Sequence, residues 1–152
     1  MSLTDLLWLA TAAYGIHILE EYQLNWRDWA RAFVALPVEW SDFYVVNALV
    51  IVFGIVAANL AGHCPGLALA FPALMLINAT FFHVLPTLWS RGRFSPGLFT
   101  AIVLFYPIGI AEFAHTGADA GEIVLAFVAG AILMAFPIVG LKLKNWPYFR
   151  QS

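Results

Sequence analysis

The sequence predicts an all-α membrane protein, a single bundle of about five transmembrane helices. Three observations predict it. Of 152 residues, 62% are hydrophobic and only 11% are charged, against roughly 45–50% and about 25% in soluble domains. The mean hydropathy of +0.85 excludes intrinsic disorder, because too much of the chain avoids water. The apolar stretches recur at the length a bilayer core of ~30 Å requires, roughly 20 residues each. With seven Lys and Arg and a net charge of −2, there is no basic stripe for nucleic acid. The single cysteine, Cys64, excludes an intrachain disulfide and a Cys-rich metal cluster.

The first span is expected over residues 3–24. Its start lacks the basic residues and the cleavage site of a signal peptide, so the stretch is expected to be retained. Trp26, Arg27, Asp28, Trp29 and Arg31 follow, a mixture of aromatic and charged residues suited to a short interfacial helix. Pro37 to Asp42 reads as a turn and helix start, and the second span runs over 43–60. His63-Cys64-Pro65-Gly66 reads as a tight turn before the third span, 67–89. A short basic loop leads to the fourth span, 97–115. A short acidic loop leads to the fifth, 122–143. No repeat, linker or low-complexity tract divides residues 1–152, so one domain is expected.

Charge placement supports this count. Arg27, Arg31, Arg91, Arg93, Lys142, Lys144 and Arg150 all fall on the side opposite the N-terminus. The excess of cations marks that side as cytoplasmic. The N-terminus is therefore expected outside, the C-terminus in the cytoplasm, and the inner or plasma membrane is the expected location.

The same topology sorts the polar residues by depth. His17, Glu20 and Glu21 end span one, Asn47 lies about a turn inside span two, and Asn78 and His83 occupy the matching half of span three. Ser95 and Thr100 begin span four. Four helices thus place polar groups in one layer near the cytoplasmic leaflet. Glu112 and His115 lie towards the other face, ~20 Å along the helix axis.

Ionisable side chains inside a membrane are costly and mark function. His17, Glu20 and Glu21 share one helical face by their i, i+3, i+4 spacing. Two carboxylates at a helix C-terminus are doubly unfavourable without a cation, a proton or donors. His83 is one expected partner. The start of span four is another: Ser95-Pro96-Gly97 reads as an N-cap followed by proline at the first helical position, with free N–H groups facing the layer. At 100° per residue, Asn78 stands ~140° around the helix from His83. Only a distorted helix lets both point at one centre. Ala126-x-x-x-Gly130 is a small-residue contact pattern.

His17-Ile18-Leu19-Glu20-Glu21 resembles the signature of the HXXEE family of integral membrane proteins. Asn78 to His83 and Phe94-Ser95-Pro96-Gly97-Leu98-Phe99-Thr100 resemble its further motifs, with Phe94 where the family motif has Tyr. The resemblance covers roughly residues 17–100. It implies a small multispanning protein with a His/Glu site and names no reaction.

The site chemistry leaves three readings. His17, Glu20, Glu21 and His83 could hold zinc with an open water position or iron in a two-His, one-carboxylate triad, serving a metal-dependent hydrolase or oxidoreductase. The paired carboxylates could instead work without metal as acid and base in an isomerase or cyclase of an isoprenoid-like lipid. A proton-coupled carrier or a lipid- or metal-binding protein is the non-enzymatic alternative. In each case Asn47, Asn78, Ser95 and Thr100 are expected to line or support the site. The expected partner is membrane lipid or a small apolar substrate, and a homo-oligomer is compatible. A Glu112-x-x-His115 contribution would mimic half of a di-iron site, but its depth separates it from His17.

Overall fold

The structure, a computed structural model, describes residues 1–143, Trp146 and Tyr148. Lys144 and Arg150, counted in the charge argument, lie outside the described residues. Among the described residues there are helices and no strands.

Five long helices form the frame: α1 (Leu3–Gln23), α3 (Trp40–Leu60), α4 (Pro65–Trp89), α5 (Leu98–Thr116) and α6 (Ala120–Leu143). A short helix, α2 (Trp26–Phe33), joins α1 to α3. Four of the long helices are apolar enough to cross a membrane by composition, and α1 is not among them. The count is near the expected five, and the reason α1 differs is physical. The 21 residues of α1 reach ~31 Å, long enough to cross. Its hydropathy is lowered by the polar groups it carries, among them Asp5, His17, Glu20 and Glu21.

The buried residues of α1 form a seam, Leu3, Leu7, Ala10, Tyr14, His17 and Glu21. Their alternating steps of four and three keep one stripe facing the partner helices. The seam is apolar at its start and ionisable at its end. A capping box of Ser2 and Asp5 starts α1, and another of Glu39 and Asp42 starts α3. At the other end of α1, Tyr22 stacks edge-on against Trp40 at 5.1 Å, so α1 and α3 run antiparallel.

Helix α4 is the most buried of the apolar spans and occupies the centre. It packs on α5 and, most extensively, on α6. The expected small-residue pattern on α6 makes this contact: Ala126 is buried, and a Cβ on Gly130 would stand 2.8 Å from the backbone nitrogen of Leu74. The outer surfaces of α3 and α6 are dominated by large apolar side chains such as Val45, Leu49, Val128 and Phe136. That surface suits lipid and not water.

Helix α2 is amphipathic, as expected. Ala30, with Trp26 and Trp29 packed beside it, meets Leu36, Val38 and Leu141. Its polar face carries Asp28, whose carboxyl is held below the usual range by the Asn25 amide and then by Arg27. Helix α2 and the loop behind it thus cover one end of the bundle, next to the polar layer.

Candidate metal-binding site

The polar layer converges. Helix α1 delivers His17, Glu20 and Glu21, α4 delivers Asn78 and His83, and the start of α5 delivers Ser95 and Thr100. Asn47 of α3 is buried nearby, but its amide donates to the Phe43 carbonyl of its own helix at 3.0 Å. It lines a cavity beside the group without joining it.

The two adjacent carboxylates have different partners. Glu20 accepts from three backbone N–H groups at the start of α5: Gly97 and Phe99 at 3.2 Å and Thr100 at 2.8 Å. It also accepts from the Thr100 hydroxyl at 2.6 Å. A carboxylate from one helix therefore caps another, where orphan N–H groups and the positive dipole end favour it. The cap expected from Ser95 is not made. The first helical residue of α5 is Leu98, Gly97 is its cap at φ 95°, and this cap makes no side-chain hydrogen bond. Ser95 is drawn away instead: its hydroxyl donates to the Phe82 carbonyl at 3.0 Å and lies 3.2 Å from Nδ1 of His83.

Glu21 faces inward. Its Oε1 lies 3.6 Å from Nε2 of His17 and 3.6 Å from Nε2 of His83. Among the described residues it accepts no hydrogen bond. One ligand atom from each of His17, Glu21 and His83 falls within 4.8 Å of the others, and all three residues are buried. Zinc bonds of ~2.0–2.2 Å require tetrahedral ligand atoms to stand roughly 3.3–3.6 Å apart, and the two His–Glu21 distances of 3.6 Å match that spacing. Glu20, expected as a fourth candidate ligand, lies outside this group.

The proton count orients the His17 imidazole. Thr100 has one hydroxyl hydrogen, and Glu20 at 2.6 Å takes it. Nδ1–H of His17, 2.7 Å away, then donates to Thr100 Oγ1. Nε2 of His17 keeps its lone pair and is buried without a hydrogen-bond partner. Ser95, whose hydroxyl donates to Phe82, lies 3.2 Å from Nδ1 of His83. Hydrogen bonds of this kind on the far nitrogen are what hold metal-ligating histidines in place. Nε2 of His83 lies 2.9 Å from Oδ1 of Asn78, which accepts from Nε2–H, so this imidazole would have to move its proton to Nδ1 and part from the amide before Nε2 could take a cation.

Asn78 and His83 share a face because α4 is distorted. Residues Ala79–Val84 form a π-helical turn, and i→i+5 bonding brings residues five apart onto one side. A second π turn, Ala101–Phe105, opens α5 next to Thr100. Each ends just before a proline, Pro86 and Pro107. Proline has no N–H for the carbonyl four residues back and clashes with it, which disfavours the regular turn. For Pro86 that carbonyl is Phe82, the one that accepts from Ser95.

Three further residues complete the environment; Tyr14 and Phe105 are not expected from the sequence, and Gly97 only as part of the start of span four. The Tyr14 ring stacks on Phe105 at 5.1 Å and meets His17 edge-on at 5.7 Å. Phe105 is fully buried against His17 at 4.5 Å. Gly97 passes so close that a Cβ there would stand 2.6 Å from Cε1 of His83 and 2.7 Å from Cε1 of His17. The sequence signal for Tyr14 was its i−3 spacing from His17.

The outer residues do not join. Glu112 is fully buried in α5, with both carboxylate oxygens unpartnered among the described residues. His115 is exposed, and so are His63 and Cys64 in the α3–α4 turn. Along the axis Glu112 stands ~18 Å from Thr100 at helical rise.

The family profile described as a protein of unknown function with HXXEE motif matches residues 8–111. The chain belongs to the HXXEE family. The matched residues contain every residue of the His/Glu group and its supports, from Tyr14 to Phe105. Helix α6 lies beyond them. No curated protein and no solved structure matches this HXXEE chain significantly. In the HXXEE motif, the His and the second Glu form the buried group while the first Glu caps α5.

Proposed function

We propose that this HXXEE protein is a metal-dependent membrane enzyme acting on an apolar, lipid- or isoprenoid-like substrate. His17, Glu21 and His83 hold a zinc or ferrous ion, with a coordination position left for water or substrate. The observation that supports the reading is the convergence of the two imidazoles on Glu21. Both Nδ1 atoms are engaged by hydroxyls, and both Nε2 atoms lie 3.6 Å from one carboxylate oxygen of Glu21. A cation there would neutralise a buried carboxylate that otherwise lacks a donor. It would supply a polarised water or a redox centre, which leaves hydrolysis and oxidation as the two reaction classes.

Cobalt(II) reconstitution tests the site. Cobalt in a four-coordinate site gives intense visible bands, and geometry is diagnostic of the donor set. The wild type should show them at one equivalent, and Glu21→Gln should lose or strongly shift them. An unaltered spectrum in Glu21→Gln would remove Glu21 from the site.

A second reading is favoured by one observation. Glu21 also lines a small cavity with Tyr14, Asn47, Asn78 and apolar side chains. A carboxylic acid in such a place can protonate an alkene, so a metal-free isomerase or cyclase would use Glu21 as its acid. Absence of any cobalt spectrum in the folded wild type selects this reading.

In the proposed orientation the site faces the cytoplasmic leaflet and the α3–α4 turn faces outward. Cys64 is free and exposed in that turn. A membrane-impermeant maleimide should label it in intact cells, and labelling only after permeabilisation would reverse the orientation.

A further inference from the structure

The bundle is open along one side. Helix α3 packs chiefly on α1, and α6 chiefly on α4. A furrow of ≈ 540 Å³ is left between α3 and α6, floored by Leu74. Its walls are apolar, with Val45 and Leu49 on one bank and Phe136 on the other. These three are exposed on the lipid-facing surface. Polar groups occur at one end only, at Ser41 and Asp42. These begin α3, so they lie at the same end of the bundle as Glu20 and Glu21.

The furrow lies against a second, inner cavity. Asp42, Val46, Val50, Leu74, Leu133 and Leu141 border it and also border the inner cavity of ≈ 90 Å³. Glu21 and Asn78 stand on the wall of that inner cavity, and Trp26, Leu36 and Val38 of the α2 region roof it. The Trp26 indole N–H is buried without an acceptor among the described residues. The inner end therefore offers a free donor beside a carboxylate, in a space too small for a bulky headgroup.

We infer that the α3–α6 furrow is the binding channel for a single linear hydrocarbon chain with a small polar end, admitted sideways from the bilayer. The chain lies against α3 and α6, and its polar end enters the inner cavity, accepts from Trp26 and reaches Glu21. A soluble metabolite would gain little from a mouth that opens to lipid. A two-chain phospholipid would have to bring a large headgroup into a cavity that has no room for it. The inference rests on the proposed function for the identity of the reacting site, but not for the channel itself.

The test uses full-length protein in lipid nanodiscs. Two photoreactive probes carry a diazirine beside the polar end, one on a hexadecanol chain and one on a farnesol chain. Adducts are mapped by mass spectrometry. Adducts are expected at Glu21 or Asn78, both buried from bulk lipid. The more efficient probe separates a fatty-chain substrate from an isoprenyl one. The blocking variant is Gly140→Trp: Gly140 borders the furrow, and a Cβ there meets nothing within 4 Å. It should fold and keep the wild-type metal content while cutting inner adducts at least tenfold. Adducts confined to outward positions such as Val45 and Phe136 would overturn the inference. So would inner adducts undiminished in Gly140→Trp. Inner adducts that Gly140→Trp abolishes, in a protein that never binds metal, would sustain the channel and sink the metal reading alone.

Discussion

Glu20→Gln should destabilise the fold and weaken metal binding together, whereas Glu21→Gln should weaken metal binding alone. The two carboxylates are neighbours in sequence, and the difference comes from what each accepts. Glu20 takes three backbone N–H groups and the Thr100 hydroxyl. Hydrogen bonds to a charged group are worth ~1.5–3 kcal/mol each, and orphaned donors add a desolvation cost. Glutamine keeps one acceptor oxygen and turns an NH2 group towards donors. A loss of ~2–4 kcal/mol follows, visible as a lower unfolding temperature in detergent. Because Thr100 also accepts from His17, the imidazole loses its anchor, and outer hydrogen bonds of this kind contribute 10–100-fold in metal affinity. Glu21, by contrast, accepts no hydrogen bond among the described residues. Removing its charge relieves a buried ion of its desolvation cost. Stability should stay within ~1 kcal/mol of wild type while affinity falls by more than 100-fold. Equal thermal shifts in the two variants would refute this division of labour.

Gly97→Ala is expected to disrupt the site as severely as any single substitution. Gly97 has φ 95°, a conformation that L side chains rarely adopt. Its new Cβ would also stand 2.6 Å from the His83 ring and 2.7 Å from the His17 ring. Backbone strain costs ~1–2 kcal/mol, and overpacking adds about 1–3 kcal/mol. Both rings must move, and Nε2 of each moves with them. The variant should lose ~3 kcal/mol of stability and its stoichiometric metal. Gly140→Ala is the control, because a Cβ there meets open space. A Gly97→Ala protein with wild-type metal content and stability would contradict the observed approach of the two rings.

Much of this arrangement is legible in the sequence because depth in a membrane is one-dimensional. Counting residues along apolar spans places His17, His83 and Thr100 in one layer. The i, i+3, i+4 spacing of His17, Glu20 and Glu21 puts them on one face. What spacing on one helix cannot give is rotation relative to its neighbours. Glu20 and Glu21 differ by ~100° around α1, and that angle sends one to α5 and the other to α4. The π turns escape a reading based on regular helix geometry, in which Asn78 and His83 diverge. Pro86 and Pro107 were the available signal, since each removes the donor that would have closed a regular turn. Ser95 reads as a cap because Ser-Pro so often is one. Its burial beside His83 depends on a carbonyl that only the folded α4 presents. The furrow between α3 and α6 is equally hidden, for it arises from which pairs of helices pack, and both helices carry apolar residues on all sides.

The central claim is that His17, Glu21 and His83 hold a metal ion. Elemental mass spectrometry on protein purified without a His-tag tests it most directly, beside the His17→Ala/His83→Ala double variant. Near one equivalent of zinc or iron in the wild type, lost in the folded double variant, is the predicted result. A folded wild type that holds no metal after exposure to zinc and to anaerobic ferrous iron would contradict it.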